Sequence, residues 1–192
     1  MKELSLNILD IAENSVKAGA TEVALTLSET ADTLEFTVSD NGCGMTKEKL
    51  AAVCDPFFTS RKTRKVGLGI PLLKMLCEQT GGSMSISSVS ELCDSENHGT
   101  VTRALFYKNS IDCLPLGDIV SSVVTFIQGS PDISFKFSHT LPDGKRVELD
   151  TKELKAVLGD VPLSTPEVVI WIKEFLSDQY KHLLLEPNVP KE

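Results

Sequence analysis

Four short motifs, each rich in polar residues or glycine, follow one another in the first 71 residues of this chain. A helix with polar residues three and four positions apart comes first, and the later motifs read DNGCGM, DPFFTSRKTRK and GLGIP. The segments between these motifs have the apolar spacing of amphipathic helices and alternating strands. The pattern therefore predicts a domain with both helices and strands, in which the loops carry the glycine-rich motifs.

The spacing of apolar residues predicts helices at residues 4–18, 47–53, 70–79 and 119–128, a short helix capped by Asp150, and a final helix that begins near Thr165. Alternating residues predict strands around residues 23–27, 34–38, 83–88, 100–107, 133–137 and 145–149. The character of the sequence changes after residue 107, so we expect a domain at residues 1–109 and an extension at residues 110–192. Trp171, the only tryptophan, is expected to pack in the final helix.

Asp40 ends an apolar strand, where a buried carboxylate is costly without a partner. The exocyclic amine of adenine is such a partner, because it donates a hydrogen bond that a carboxylate accepts. Gly42 and Gly44 have no side chains, so the loop that continues to Met45 can turn sharply and approach a base closely. The pattern predicts an adenine site, and a plain Asp-Asn-Gly turn is the alternative.

The first helix has a polar face that includes Asp10, Asn14 and Lys17. The carbonyl oxygen of Asn14 suits a hard cation such as Mg²⁺, and Lys17, one turn later, can contact a phosphate. Asp10, one turn earlier, can orient or deprotonate a water or an acceptor hydroxyl. A solvated helix face is the alternative interpretation of the same residues.

Gly67, Leu68 and Gly69 come just before the third predicted helix. Free N–H groups at a helix N-terminus bind anions, so this segment is a candidate for contacts to phosphates. The basic run SRKTRK, which contains Lys62, comes just before it. We interpret this run as a lid over phosphates, and a solvated basic loop is the alternative.

The composition limits the partners and the location. The chain has 27 acidic and 19 basic residues, and its net charge of −8 argues against broad binding to nucleic acid or to an anionic membrane. No apolar stretch approaches the ~20 residues that span a bilayer, and no apolar signal-peptide segment follows Glu3. The five cysteines never form a C-x-x-C pair, so we interpret them as reduced thiols of a cytoplasmic protein, without zinc or disulfides.

The set and the order of the four motifs resemble the GHKL superfamily, over about residues 4–106. ENSVKAGATEV followed by DNGCGM is most similar to MutL proteins, whereas DPFFTSRKTRKVGLGIPLLKMLCEQTGGSMSI is most similar to the ATP-binding domain of histidine kinases. The resemblance implies ATP and Mg²⁺ as cofactors. It also implies an α+β fold, a two-layer sandwich with a mixed sheet covered by helices on one face, followed here by a smaller α+β extension.

The resemblance further implies a role for each matched residue. The matched residues are Asn14 for Mg²⁺, Lys17 and the lid residues Gly67, Leu68 and Gly69 for phosphates, Asp40, Gly42 and Gly44 for adenine, and Gly99 with Thr100 in the last motif of the family. Asp10 stands where the ATPase members have a catalytic glutamate. Because aspartate is one methylene shorter, the resemblance leaves the role of Asp10 as general base open.

Two classes of function are compatible with these residues. The first is a stand-alone ATP-dependent protein kinase or ATPase that regulates a partner protein, without a dimerising helical hairpin ahead of the ATP-binding domain. The second is a non-catalytic nucleotide-sensing module, in which ATP changes the face presented to a partner. DNA repair by analogy with MutL is disfavoured, because the chain is acidic and short. The oligomeric state, including a homodimer, is left open.

Overall fold

The computed structural model of the protein describes residues 3–53 and 69–185. The helices in this part of the chain are α1 (Leu4–Lys17), α2 (Lys47–Val53), α3 (Gly69–Gln79), α4 (Ile119–Gly129), α5 (Thr151–Leu158) and α6 (Pro166–Leu185). The strands are β1 (Glu22–Glu29), β2 (Thr33–Asp40), β3 (Ser83–Val89), β4 (Gly99–Tyr107), β5 (Ser134–Thr140) and β6 (Arg146–Asp150). The elements predicted from periodicity are present, with ends that differ by a few residues. Within the same described ranges, no helix combines the length and the apolar character needed to cross a membrane.

The six strands form one mixed sheet in the order β3-β4-β2-β1-β5-β6. β1 and β2 are an antiparallel hairpin, and β4 lies antiparallel to β2 with Thr100 opposite Asp40. β5 is parallel to β1, and β6 is antiparallel to β5. This register places Asp40 and Thr100 side by side at one end of the sheet.

One face of the sheet is covered by helices, and the core lies between the two layers. The strand residues that point into the core alternate along each central strand; they include Val23, Leu25, Leu27, Leu34, Phe36, Val38, Phe135 and Phe137. The helices contribute residues such as Leu4, Ile8, Leu73, Ile127 and Ile172. Each such buried side chain stabilises the fold by about 1.5–3 kcal/mol. The architecture is the predicted two-layer sandwich.

The segment that follows β4 holds α1 in place. The backbone N–H of Leu4 donates to the carbonyl oxygen of Pro115 at 3.0 Å, and that of Ser5 donates to Leu116 at 2.8 Å. These bonds satisfy two of the N–H groups that the first turn of a helix leaves without an internal partner. The other end of α1 is followed by Gly19, whose φ of +74° lets the chain leave the helix. Because α1 carries the predicted polar face, residues far along the chain help to position it.

The strands after residue 109 extend the sheet of the residues before it. β5 pairs with β1 from Glu22–Ser134 to Ser28–Thr140. The buried residues of both parts also belong to one continuous core. The division into residues 1–109 and 110–192 stays a prediction, and the two parts share one sheet.

A polar network lies at the end of the sheet away from Asp40. Lys108 Nζ donates to Glu29 Oε2 at 2.8 Å, and Nε2 of the buried His139 lies 3.2 Å from Glu29 Oε1. Nδ1 of the same ring lies 2.7 Å from Tyr180 Oη on α6. The hydrogen bond with His139, followed by the interaction with Lys108, lowers the pKa of Glu29 from 4.5 to about 2, although partial burial opposes this shift. The network connects α6 and β5 to β1.

Trp171 lies in α6, the final helix, as the sequence predicts, but its side chain is only partly buried. Its side chain is 47% exposed, whereas Ile172 and Leu176 of the same helix are buried. At 100° per residue, the residue before Ile172 lies on the flank of the helix rather than on its inner face. The apolar stripe of α6 therefore leaves the indole ring at the surface.

Candidate nucleotide site

The carboxylate of Asp40 is fixed from two sides at the end of β2. Its Oδ1 accepts a hydrogen bond from the backbone N–H of Gly42 at 2.9 Å, and its Oδ2 accepts one from the hydroxyl of Ser15 on α1 at 2.7 Å. Ser15 is buried, so this bond is shielded from competing water. A carboxylate has about four lone-pair positions, so others remain for a further donor. Asp40 is therefore oriented and able to accept a hydrogen bond from a ligand.

The loop at residues 41–45 packs too closely against its surroundings for side chains at its glycines. A Cβ on Gly42 would lie 2.8 Å from Ala18 Cβ and 3.1 Å from Asp40 Oδ1. A Cβ on Gly44 would overlap the carbonyl oxygen of Val89, and Gly44 also has a φ of +62°. The two glycines thus allow the loop to lie directly against α1 and the end of β3.

The hairpin of β3 and β4 holds the same loop through side chains. Ser88 Oγ accepts a hydrogen bond from the N–H of Met45 at 2.8 Å and lies 2.8 Å from Thr100 Oγ1. Nδ1 of His98 lies 2.6 Å from the carbonyl oxygen of Gly42. Because a carbonyl oxygen only accepts, His98 donates through Nδ1–H. The predicted binding residues Met45 and Thr100 therefore meet at Ser88, beside the loop that His98 fixes.

The predicted polar face of α1 is exposed, and it meets the start of α3. Asp10, Asn14 and Lys17 are all accessible to solvent, and Lys17 Nζ lies 3.5 Å from Glu13 Oε2. Gly69 is the first residue of α3, and a Cβ at this position would lie 3.5 Å from Asp10 Oδ2. The N-terminus of α3, with its outward N–H groups and the positive end of its dipole, is therefore close to Asp10.

Most of the predicted site residues come together around α1. They are Asp10, Asn14 and Lys17 on α1, Asp40 at the end of β2, Gly42, Gly44 and Met45 in the loop that follows, Gly69 on α3, and Thr100 on β4. Three predicted residues, Lys62, Gly67 and Leu68, lie outside the described residues. The surface between α1, the start of α3 and the loop at residues 40–45 is the candidate site.

A different cleft, of about 260 Å³, opens beside the same end of the sheet. It is lined by Asp40 and by charged residues such as Glu22 and Lys152, whose Oε1 and Nζ atoms lie 2.6 Å apart. Neither Asp10 nor Gly69 lines it. This cleft therefore includes neither the polar face of α1 nor the start of α3, and the helix N-terminus that borders it, that of α5, is already capped by the carboxylate of Asp150. We place the candidate site on the α1 side of Asp40.

Residues 2–109 match the family described as "Histidine kinase-, DNA gyrase B-, and HSP90-like ATPase". The match covers more than half of the chain, so the chain belongs to this family, the GHKL superfamily. It is 31% identical to the sensor protein SrrB of Staphylococcus aureus (strain NCTC 8325 / PS 47) over an alignment of 93 residues that covers 46% of this chain and 16% of SrrB. It is 32% identical to the sensor histidine kinase ZraS of Escherichia coli (strain K12) over 66 residues, which are 34% of this chain and 14% of ZraS. The chain thus spans less than a fifth of the length of these relatives.

Two solved structures share the fold. The N-terminal domain of a DNA repair protein superposes with a TM-score of 0.55 at 17% identity, over 83% of this chain and 58% of that one. The Aquifex aeolicus MutL ATPase domain complexed with ADP superposes with a TM-score of 0.52 at 14% identity, over 82% of this chain and 69% of that one. Residues 1–109 are about 57% of the 192 residues, so both likenesses continue into the C-terminal extension. The predicted α+β sandwich is confirmed.

Sequence reasoning misses three residues that shape the candidate site. Ser15 follows Asn14 directly, and the sequence indicates only that it lies on the inner face of the helix. A serine in a helix commonly forms a hydrogen bond to the backbone of the same helix, so a bond to Asp40 is not expected. Ser88 and His98 contact residues that are 43 and 56 positions away, respectively. No local pattern reveals contacts of that range, because they depend on the register of the sheet.

Proposed function

We propose that this chain binds magnesium-ATP at the surface between α1, α3 and the loop at residues 40–45, and that it is a cytoplasmic ATP-dependent protein kinase or ATPase that regulates a partner protein. One observation supports this most strongly. Asp40 is held by Ser15 near one end of the exposed face of α1, and the start of α3 lies beside Asp10, nearer the opposite end of that face. The surface beside Asp40 suits the adenine base, and the surface at the start of α3 suits the phosphates.

We assign recognition of adenine to Asp40. The exocyclic amine of adenine donates a hydrogen bond, whereas guanine has a carbonyl oxygen at the equivalent position. A fixed carboxylate therefore favours adenine and repels the guanine carbonyl. Gly42 and Gly44 keep side chains out of the loop, so the ring can approach the backbone.

We assign Mg²⁺ to Asn14. Its side chain is exposed, uncharged and ends in a carbonyl oxygen, and Mg²⁺ is usually held by one or two protein oxygens together with phosphates and water. When bound, Mg²⁺ supplies positive charge that stabilises the phosphates during transfer. Lys17 can turn from Glu13 to a phosphate, because an exposed ion pair of this kind contributes only ~0–1 kcal/mol.

We assign the terminal phosphates to the N-terminus of α3, which begins at Gly69. Lys62, Gly67 and Leu68 are assigned to the same phosphates on their sequence position alone. In this arrangement the basic residues and the helix dipole offset the charge of the triphosphate in an otherwise acidic chain.

Asp10 is assigned to the chemical step. Its carboxylate accepts the proton of a water or protein hydroxyl that attacks the terminal phosphorus, while the bond to the leaving oxygen of ADP breaks. The absence of a side chain at Gly69 leaves space beside Asp10 Oδ2 for that nucleophile. Phosphoryl transfer depends mainly on positioning and charge stabilisation, so an acceptor on a partner protein can be used.

A non-catalytic nucleotide-sensing module is the second candidate. Asp10 is one methylene shorter than a glutamate, which favours this alternative because the carboxylate reaches less far toward a nucleophile. The first turn of α1 is also bonded to Pro115 and Leu116. Nucleotide-dependent movement of α1 would therefore change the position of the C-terminal half.

The substitution Asp10→Asn separates the two candidates. The experiment measures ATP binding by calorimetry, and ADP formation and phosphoryl transfer with labelled Mg-ATP, for the purified full chain. We expect the variant to bind ATP normally and to lose turnover, whereas Asp132→Asn, a remote exposed carboxylate, should keep both. Equal turnover in Asp10→Asn and the original chain would refute the role of Asp10, and no turnover in either would favour the module.

A further inference from the structure

Two aromatic residues of α6 form an exposed ridge that the ATP site does not use. Trp171 and Phe175 are 47% and 39% exposed, although they belong to the helix whose Ile172 and Leu176 are buried. Their rings are stacked, with centroids 5.0 Å apart and planes 13° apart. Large aromatic side chains of this kind together leave roughly 200 Å² of apolar surface in water. We call Trp171 and Phe175 the aromatic ridge.

Acidic side chains border the aromatic ridge. Glu167 and Glu174 are exposed, and their spacing from Trp171 places them four residues before it and three after it on the same flank of α6. Within residues 3–53 and 69–185, neither carboxylate is in an ion pair. Lys173 lies about a half-turn away from Trp171 and faces Asp118 at the start of α4. The aromatic ridge is therefore apolar at its centre and negative at its border.

The neighbouring sheet edge is already occupied. β6 is an edge strand, and the side chain of Gln179 on α6 pairs with both backbone groups of Glu148, accepting from its N–H at 3.1 Å and donating to its carbonyl oxygen at 3.0 Å. A partner strand cannot add to β6 at this residue without displacing Gln179. Side-chain docking of a helix on the aromatic ridge does not require that displacement.

The border charges also decide between a second copy of this chain and a different partner. A two-fold pairing of α6 helices would bring the acidic border of one copy against that of the other, because the same patch is used by both copies. Like charges at a contact are unfavourable, whereas lysine or arginine beside the ridge would be favourable.

We propose that the aromatic ridge, with Glu167 and Glu174, is a docking site for an amphipathic helix of a partner protein that carries lysine or arginine beside its apolar face. The apolar face of that helix covers Trp171 and Phe175, and its cations pair with the two carboxylates. The site lies on α6 and requires no nucleotide, so it goes beyond the proposed ATP chemistry and is tested separately from it.

Trp171 is the only tryptophan of the chain, so its fluorescence reports directly on this site. The probe is a synthetic leucine–lysine amphipathic peptide of about 18 residues, long enough to form a helix, and the comparison is its leucine–glutamate counterpart. We expect the first peptide to shift the emission of Trp171 to shorter wavelength in a saturable titration. The second should cause no shift. Phe175→Ala should weaken binding by at least about tenfold, with unchanged circular dichroism.

A matched pair of charge variants tests whether the border carboxylates act locally. The double variant with Glu167→Gln and Glu174→Gln should weaken binding of the leucine–lysine peptide about three- to tenfold. Glu91→Gln with Glu96→Gln changes the net charge by the same amount at a distant loop and should leave binding unchanged. The proposal would be overturned if both pairs of variants weakened binding equally, or if the two peptides bound equally well. It would also be overturned if the emission shift depended only on the concentration of the protein. The last result would indicate self-association instead.

Discussion

Substitution of Ser15 by alanine tests the candidate site at the contact that orients Asp40. The change removes one hydroxyl from the buried face of α1 and with it the 2.7 Å hydrogen bond to Asp40 Oδ2. A hydrogen bond to a charged group contributes about 1.5–3 kcal/mol. Asp40 is only partly buried, so in the variant water can form a hydrogen bond to the carboxylate in place of Ser15. We therefore expect a net loss of about 1–2 kcal/mol of the free energy that orients Asp40. If adenine binding requires the oriented carboxylate, this loss corresponds to roughly a 5–30-fold weaker affinity for ATP.

Ser5 provides the matched control on the same helix. It is as buried as Ser15, but its Oγ has no hydrogen-bond partner among the residues that the structure describes. Ser5→Ala should therefore be neutral or slightly stabilising and should leave ATP affinity unchanged. Calorimetric titration with ATP and urea unfolding of both variants are the measurements. If Ser15→Ala kept its ATP affinity, or if both variants lost the same amount, the bond from Ser15 would not orient Asp40 for adenine.

Two further predictions concern His98 and Glu29. His98→Ala should weaken ATP binding several-fold, measured by calorimetry, because the carbonyl oxygen of Gly42 loses the donor that lies 2.6 Å from it. His98→Asn, whose side-chain amide can replace Nδ1–H, should retain more ATP affinity than His98→Gln. Failure of asparagine to restore binding would argue against this contact. The folded-state pKa of Glu29 is about 2, below its ordinary 4.5, so its stabilisation is present above pH 4.5 and is lost as the pH falls toward 2. The difference corresponds to roughly 3 kcal/mol, which solvent screening reduces to about 1–2 kcal/mol. Urea unfolding should show Glu29→Gln less stable by that amount at pH 7, with a gap that closes between pH 4.5 and 2; a constant gap would contradict the assignment.

Local sequence patterns predict the elements well where a single periodicity dominates. The alternation that ends at Asp40 is that of a strand with one buried face, and the spacing in α1 separates Leu4 and Ile8 from the exposed Asp10. Such patterns depend only on which side of an element meets the core. They were therefore sufficient to predict the helices, the strands and the polar face of α1, whereas the two-layer arrangement was predicted from the resemblance to the GHKL superfamily.

Contacts between distant residues could not be predicted in this way. The parallel pairing of β5 with β1 is set by packing across the sheet, and the bond between His98 and Gly42 depends on how two loops meet. The half-exposed position of Trp171 was not predicted either, because hydrophobicity alone does not distinguish the inner face of a helix from its flank. In each case the deciding information lies in tertiary geometry.

A crystal structure of the chain with Mg²⁺ and a non-hydrolysable ATP analogue decides whether the nucleotide binds between α1, the start of α3 and Asp40. We expect the exocyclic amine of adenine to lie about 2.7–3.2 Å from a carboxylate oxygen of Asp40, with the metal beside Asn14 and the phosphates at the start of α3. A nucleotide bound elsewhere, for example in the cleft lined by Glu22 and Lys152, with the surface beside α1 left empty, would contradict this expectation.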